Sequence, residues 1–219
     1  MTGGASRIWI AAIAIGSVLV VSTAAQAQRG GRGFRSLFGI SKAELANLPE
    51  VQDELKLTDV QKTRITEVHD DLRDSRREIF RTGFGRFDEI WQRSNQLNRD
   101  ASQRVDDVLD DSQRTRLQQI AIQQNGARSL YDPEVAAALE LSDEQTSKLA
   151  EVREENTREL ESAIREFGRE WRQQVPNLAE KSDERLLAVL DGKQRDRFEA
   201  MKGEPLEIQR WWRGGRGRQ

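Results

Sequence analysis

His69, beside Asp70 and Asp71, is the one histidine in a chain of 219 residues that contains no cysteine. Imidazole and carboxylate together are the groups that bind metals or move protons near neutral pH. A metal site needs several ligands converging on one point. Here a lone imidazole is surrounded by acids spaced as solvated helix charge. The absence of cysteine excludes thiol catalysis and cysteine-based metal sites. The sequence has no nucleophile elbow, no Ser-His-Asp set and no phosphate-binding glycine loop. The expectation is a non-enzymatic protein with no catalytic residues, no metal site and no cofactor.

The patterned chemistry is hydrogen bonding. "LTDVQKTRI" at Leu57 returns as "LDDSQRTRL" at Leu109, "LSDEQTSKL" at Leu141 and "LDGKQRDRF" at Leu190. A hydroxyl or carboxylate followed three residues later by Gln is the capping-box pattern of a helix start. Thr58 with Gln61, Asp110 with Gln113, Ser142 with Gln145 and Asp191 with Gln194 each fit it, at about 1 kcal/mol per cap. The leading leucine needs a separate reason. A hydrophobic staple would pair it with the fourth helical residue, but those positions hold Lys62, Arg114, Thr146 and Arg195. Leu57, Leu109, Leu141 and Leu190 are therefore expected to pack on a neighbouring element.

The elements behind the caps are amphipathic helices. Ile65, Val68, Leu72 and Ile79 share one face. Leu149, Val152, Leu160, Ile164, Phe167 and Trp171 are expected to continue such a stripe for about six turns. Glu89–Arg93, Glu154–Arg158 and Glu161–Arg165 have the spacing of surface ion pairs. Asn156 lies close to the stripe, either as a register-setting contact or as a surface residue. Gly83 and Gly85 are expected to interrupt the first long helix, as a hinge or a kink, and Pro176 to end the second. Gly126 and Gly203 mark further helix ends. Ser41 and Asp132 open short helices, with Pro133 at a first helical position.

The chain is written twice. "PEVQDELKLTDVQ" (49–61) aligns with "PEVAAALELSDEQ" (133–145), Phe87 and Trp91 with Phe167 and Trp171, and "VLDDSQRTRL" (108–117) with "VLDGKQRDRF" (189–198). The offsets are 84, 80 and 81 residues; a four-residue difference is about one helical turn, which nearly preserves the buried face. The expected organisation is all-α. It comprises a signal peptide (1–27), a Gly/Arg-rich flexible segment (28–40), helical repeats at 41–128 and 129–208, and a Trp/Arg/Gly-rich flexible tail (209–219).

The signal reading rests on Arg7, the 14-residue apolar run Ile8–Val21 and the Ala25-Gln26-Ala27 site, with cleavage after Ala27. That run is short of the roughly 18–20 residues that span a bilayer. The expectation is a periplasmic or secreted protein with no transmembrane segment in its mature form. The overall charge of −2 hides a division. Residues 28–38 carry Arg29, Arg32 and Arg35, and residues 209–219 carry Arg210, Arg213, Arg216 and Arg218, with no acid in either. With Arg7 these are eight of the 35 basic residues, so the body holds 27 against 37 acids, a balance of −10.

With these residues in view, the chain resembles the LTxxQ-motif (Spy/CpxP-like) family of exported bacterial proteins. "LTDVQ" fits the motif fully, "LSDEQ" departs by Thr→Ser, and "LDDSQ" and "LDGKQ" keep Leu and Gln. The resemblance covers most of residues 49–203. It implies bent helical hairpins that dimerise into a cradle. Four motifs in one chain, 52 and 49 residues apart within each half, imply two tandem hairpin units forming an elongated bundle or internal pseudo-dimer. It further implies an ATP-independent chaperone shielding unfolded polypeptides in the envelope, or a regulator binding an envelope partner protein, with further oligomerisation open.

A second class of function stays open: a structural or adaptor protein whose cationic tails contact anionic envelope polymers, lipid or acidic partners. Nucleic acid is not an expected partner of an exported chain. Trp211 and Trp212 are adjacent and cannot both face one helical core. With Arg213 and Arg216 they form the candidate contact site in the tail.

Overall fold

The computed structural model describes residues 39–82 and 87–208, and the described residues contain helices and no strand. The first half comprises α1 (Lys42–Ala46), α2 (Pro49–Glu54), α3 (Asp59–Thr82), α4 (Phe87–Asp106) and α5 (Asp111–Asn125). In the second half a 3-10 turn, Gly126–Tyr131, stands in the place of α1. It is followed by α6 (Pro133–Ala138), α7 (Asp143–Phe167), a second 3-10 turn (Gly168–Gln173), α8 (Val175–Ala188) and α9 (Gly192–Ala200). The expected signal peptide (1–27) with its cleavage site at Ala27, the expected Gly83–Gly85 break and the candidate contact residues Trp211, Trp212, Arg213 and Arg216 lie outside the described residues.

Local chemistry sets each boundary. Ser41 caps α1 in a reciprocal box with Glu44, and Asp132 caps α6 by accepting the Glu134 N–H at 2.9 Å. At the ends of α2 and α6 the chain turns through a left-handed residue that is not glycine: Lys56 at φ 51° and Glu140 at φ 54°. In each case the next N–H reaches back five residues, Leu57 to the Gln52 carbonyl (3.0 Å) and Leu141 to that of Ala136 (3.1 Å). This is the Schellman ending, whose outer residue is characteristically hydrophobic because it packs back on the helix it closes. The leading leucine of two motif copies is therefore the last residue of one helix's ending as well as the preface to the next helix.

Two cores result. The first gathers Leu45, Val51, Ile65, Val105, Leu117 and Ile120, each at 0 % exposure, with Val68, Leu72 and Leu109 beside them. Filling such a site with Leu or Ile contributes about 1.5–3 kcal/mol per side chain. The second gathers Leu130, Val135, Leu139, Leu149, Leu186, Leu190 and Phe198, and it also takes Ile122 from α5. One helix thus serves both cores: Leu117, Ile120 and Ala121 go to the first, Ile122 to the second. The halves meet across a shared helix, with only the 3-10 turn between α5 and α6.

Two sequence expectations are corrected. The α7 stripe ends at Phe167, because Gly168 at φ +52° breaks the helix and leaves Trp171 in the following 3-10 turn. Pro176 does not end that helix; it sits in the first turn of α8, where its missing N–H costs no hydrogen bond. Of the surface pairs, Glu161–Arg165 forms at 3.9 Å. Arg185 instead gathers Glu159 (2.6 Å) and Glu155 (3.5 Å) across the α7–α8 pair.

Candidate functional site: two glutamine clasps and an open stripe

The capping glutamines do more than cap. Gln61 Oε1 accepts the Thr58 N–H at 3.0 Å, while its Nε2 donates to the Val108 carbonyl (3.0 Å) and to Gln113 Oε1 (2.8 Å). Gln113 Oε1 accepts the Asp110 N–H at 3.0 Å, and its Nε2 donates to the Leu55 carbonyl at 3.1 Å and back to Gln61 Oε1 at 3.4 Å. A primary amide offers two donors and two acceptor lone pairs. Both amides are used in full.

The second half repeats the clasp. Gln145 Nε2 donates to the Val189 carbonyl (2.9 Å) and to Gln194 Oε1 (2.6 Å). Gln194 Nε2 donates to the Leu139 carbonyl (3.3 Å) and to Gln145 Oε1 (3.0 Å). The two oxygens accept from Ser142 and Asp191 N–H at 3.0 and 3.1 Å. In every copy the helix start also receives its reciprocal bond, from Gln61, Gln113, Gln145 and Gln194 N–H to Thr58, Asp110, Ser142 and Asp191. At Asp110 the bond from the Gln113 backbone, then that from Ser112, holds the carboxyl below its ordinary range.

The motif leucines stand around these clasps. Leu57, Leu109 and Leu190 are buried; Leu141 is half-buried against the second core. Saturated glutamines and buried leucines leave the motif little with which to meet a partner. The sequence showed the caps but not the pairing, since nothing local announces a bond across 52 or 49 residues. The usable signal was the matched spacing of the two copies within each half.

Among the described residues, one face of α7 keeps a run of partly exposed apolar side chains, while on α3 Val60 stands exposed by itself in the first turn. In α3 the stripe Ile65, Val68, Leu72 and Ile79 is buried throughout. The matching positions on α7 are Leu149, Val152, Asn156 and Ala163, which fill less space. Leu149 and Ala163 are buried, whereas Val152, Leu160 and Ile164 are half-buried and Phe167 is 38 % exposed. Asn156 donates to Ser182 Oγ at 2.7 Å and accepts from Arg185 at 3.3 Å, so it is a fixed polar contact between α7 and α8. Beyond it, at the far end of the hairpin, Arg172 lies 5.2 Å from the centroid of the Trp171 ring. The result is a half-open apolar strip with an aromatic end.

His69 borders a shallow cavity of about 340 Å³ with Glu44, Leu72, Arg73, Arg76 and Arg77. Arg76 is committed there, to Glu44 at 2.8 Å and Asn98 at 2.6 Å. His69 Nδ1 is 3.3 Å from Asp70. Among the described residues no cluster of three His, Cys, Asp or Glu is placed to hold a metal ion, and no helix is long and apolar enough to cross a membrane.

No protein-family model, no curated protein and no solved structure matches this chain.

Proposed function

We propose that this chain is an exported, non-enzymatic holding protein of the LTxxQ kind, which binds unfolded or partner polypeptides without ATP. The observation that carries the reading is the incomplete burial of one apolar face of α7. On α3 Ile65, Val68, Leu72 and Ile79 are buried, whereas Val152, Leu160, Ile164 and Phe167 on α7 keep apolar surface available beside charged residues. A strip of this kind suits transient capture, because exposed apolar segments gain burial on it while the charged flanks keep the free protein soluble. The clasps support the kinship: both halves use the motif glutamines in one way, as ties between two helix starts. They also anchor the base of each hairpin, so the strip stands on a fixed frame.

The test is suppression of aggregation of an unrelated unfolding protein, with the chain at stoichiometric amounts and no nucleotide. Light scattering should fall in proportion to chain added. The double variant Leu160→Ser, Phe167→Ser should lose most of that effect while keeping its helical circular dichroism. An intact chain that is inert at every ratio refutes the holding reading.

A further inference from the structure

We infer that Asn125 and Gly126 form a self-modification site, a deamidation latch that the docked Gly39–Ile40 segment holds in check. Once that segment lifts, the reaction keeps it from closing again. Asn125 is the only asparagine of the chain followed by glycine; Asn47, Asn95, Asn98, Asn156 and Asn177 precede Leu, Gln, Arg, Thr and Leu. Glycine has no Cβ to shield the backbone nitrogen that must attack the side-chain amide. Asparagine is among the thermolabile residues for this reason.

Both reacting groups are restrained in the closed fold. Asn125 Oδ1 accepts the Ile40 N–H at 2.7 Å, and Nδ2 donates to the Ile40 carbonyl at 3.0 Å. Ile40 packs against the first core, which seats this pair of bonds. The Gly126 N–H donates to the Ile122 carbonyl and closes α5. Asn125 stands at φ −89°, ψ −20°, and closing an imide ring requires its ψ to leave that helical range. The helix end does not itself need asparagine. At the end of α7, Gly168 at φ 52° donates to the Ile164 carbonyl in the same way, and Phe167 fills the place of Asn125. The Asn125 amide therefore serves Ile40 rather than the helix end. No atom lies within 4 Å of where a Cβ on Gly126 would stand, so no packed group obstructs the ring once ψ is free.

When the segment lifts and the last turn of α5 frays, the Gly126 nitrogen attacks Asn125 Cγ. The Cγ–Nδ2 bond breaks, and the amide nitrogen leaves as ammonia with the proton that the Gly126 nitrogen gave up. Water then opens the imide. Addition at Cγ leaves aspartate, and addition at the backbone carbonyl leaves isoaspartate. Either product has a carboxylate where the Nδ2 donor stood. A carboxylate only accepts, so the Ile40 carbonyl loses its partner and faces a negative charge. A reversible local opening thereby becomes a permanent one. This inference goes beyond polypeptide holding and does not rest on it; either can fail while the other stands.

The experiment incubates the full chain near neutral pH, in buffer and in urea. It follows amide-to-acid conversion in the tryptic peptide LQQIAIQQNGAR, residues 117–128, by mass spectrometry. Two variants lift the segment without touching the reacting pair, each with its helix content checked. Gly39→Ala would place a Cβ 3.0 Å from Asn125 Oδ1 at an unfavourable φ of +71°. Ile40→Pro removes the N–H that Oδ1 accepts. The intact chain should convert at least about tenfold more slowly in buffer than in urea, and both variants should recover most of that factor in buffer. Asn125→Asp, the product of the reaction, should speed amide exchange at Ile40 by about threefold or more. Conversion of the intact chain as fast in buffer as in urea overturns the inference. So do variants that convert as slowly as the intact chain, which would assign the protection to the helix end alone. Unchanged or slower exchange at Ile40 in Asn125→Asp overturns the latch.

Discussion

Gln61 and Gln113, 52 residues apart, exchange hydrogen bonds amide to amide, at 2.8 Å one way and 3.4 Å the other. Each also closes its own helix start, so a change in one amide is felt at two helix ends. Gln61→Glu keeps the shape and the cap but removes both donors, leaving the Val108 carbonyl and Gln113 Oε1 facing a carboxylate. The expected loss is about 2–3 kcal/mol near neutral pH. Urea denaturation of Gln61→Ala, Gln113→Ala and the double variant should give a coupling of about 0.5–3 kcal/mol. Strict additivity would mean the two amides are neighbours without being partners.

Lys56 and Glu140 hold left-handed backbone angles at matched positions in the two halves. For residues bearing a Cβ that conformation costs on the order of 1 kcal/mol. Lys56→Gly and Glu140→Gly should therefore each raise stability by about 0.5–1 kcal/mol in urea midpoints, although glycine also loosens the unfolded chain. Glu140→Gly gives up an exposed contact with Arg197 at 3.0 Å, which contributes little. A fall in stability at both sites would show that the turns are not strained.

Lys42 joins the two halves from a buried position, 2.9 Å from Asp106 and 3.0 Å from Glu134. Burial alone would lower its pKa, but the bonds and charges of Asp106 and then Glu134 outweigh it and raise the ammonium above its ordinary value. Asp106 is also raised, by burial first, against the pull of Lys42. The two shifts judge the pair differently. At Asp106 burial governs, since its Oδ1 has no hydrogen-bond partner among the described residues. A raised lysine pKa gives stability that is complete below the ordinary value of 10.5 and is lost as pH climbs through the folded value. A raised aspartate pKa works against stability above the ordinary carboxylate range. Lys42→Met alone should cost about 3–5 kcal/mol, whereas Lys42→Met with Asp106→Leu should be near neutral or stabilising. The double variant should also lose the lysine-linked part of the alkaline decline. Equal losses in the single and double variants would contradict this account.

Tyr131 is the one tyrosine of the chain, which makes its titration directly observable. Burial pushes its phenol up to about 12, against the pull of Arg128 and Arg153. Absorbance at the phenolate band should therefore rise near pH 12 in the folded protein and near pH 10 in urea, roughly the ordinary phenol value. Because the unfolded chain loses this proton first, stability should fall as pH rises from about 10 to about 12. Ionisation of the folded protein at the ordinary phenol value would place the ring in water.

How much of this was written in the sequence depends on range. Thr58–Gln61 and its three counterparts were legible because a cap is local: donor and acceptor stand three residues apart. The all-helical class followed from the spacing of Ile65, Val68 and Leu72. The end of α7 is hidden in the sequence because the apolar periodicity carries through Gly168, where the backbone itself turns. Pro176 is ambiguous from sequence, since proline both ends helices and starts them, and only the backbone shows that it opens α8. The sharing of α5 went unread, although Leu117, Ile120, Ala121 and Ile122 cover too wide an arc for one core. The long-range ties, Gln61 to Gln113 and Gln123 to Leu206, have no sequence mark because their partners are a distant amide and plain backbone.

Gln123 and Gly203 decide whether the strap that follows α9, residues 201–208, stays on α5. The α9 helix ends at Ala200, and the chain then turns at Gly203, φ +59°, to run back over the first half. A Cβ at 203 would stand 2.3 Å from Gln119 Oε1, so Gly203→Ala meets both a side chain and an unfavourable angle. It should cost about 1–3 kcal/mol. Gln123→Ala removes three hydrogen bonds to the strap and should cost about 1.5–3 kcal/mol of its local anchoring. Both effects should be confined to the strap. Limited proteolysis should cut residues 201–208 earlier, and amide exchange at Leu206 should speed up, while the Gln145–Gln194 clasp keeps its protection. An unchanged cleavage rate at 201–208 would mean that Leu206 and Ile208 hold the strap by burial alone.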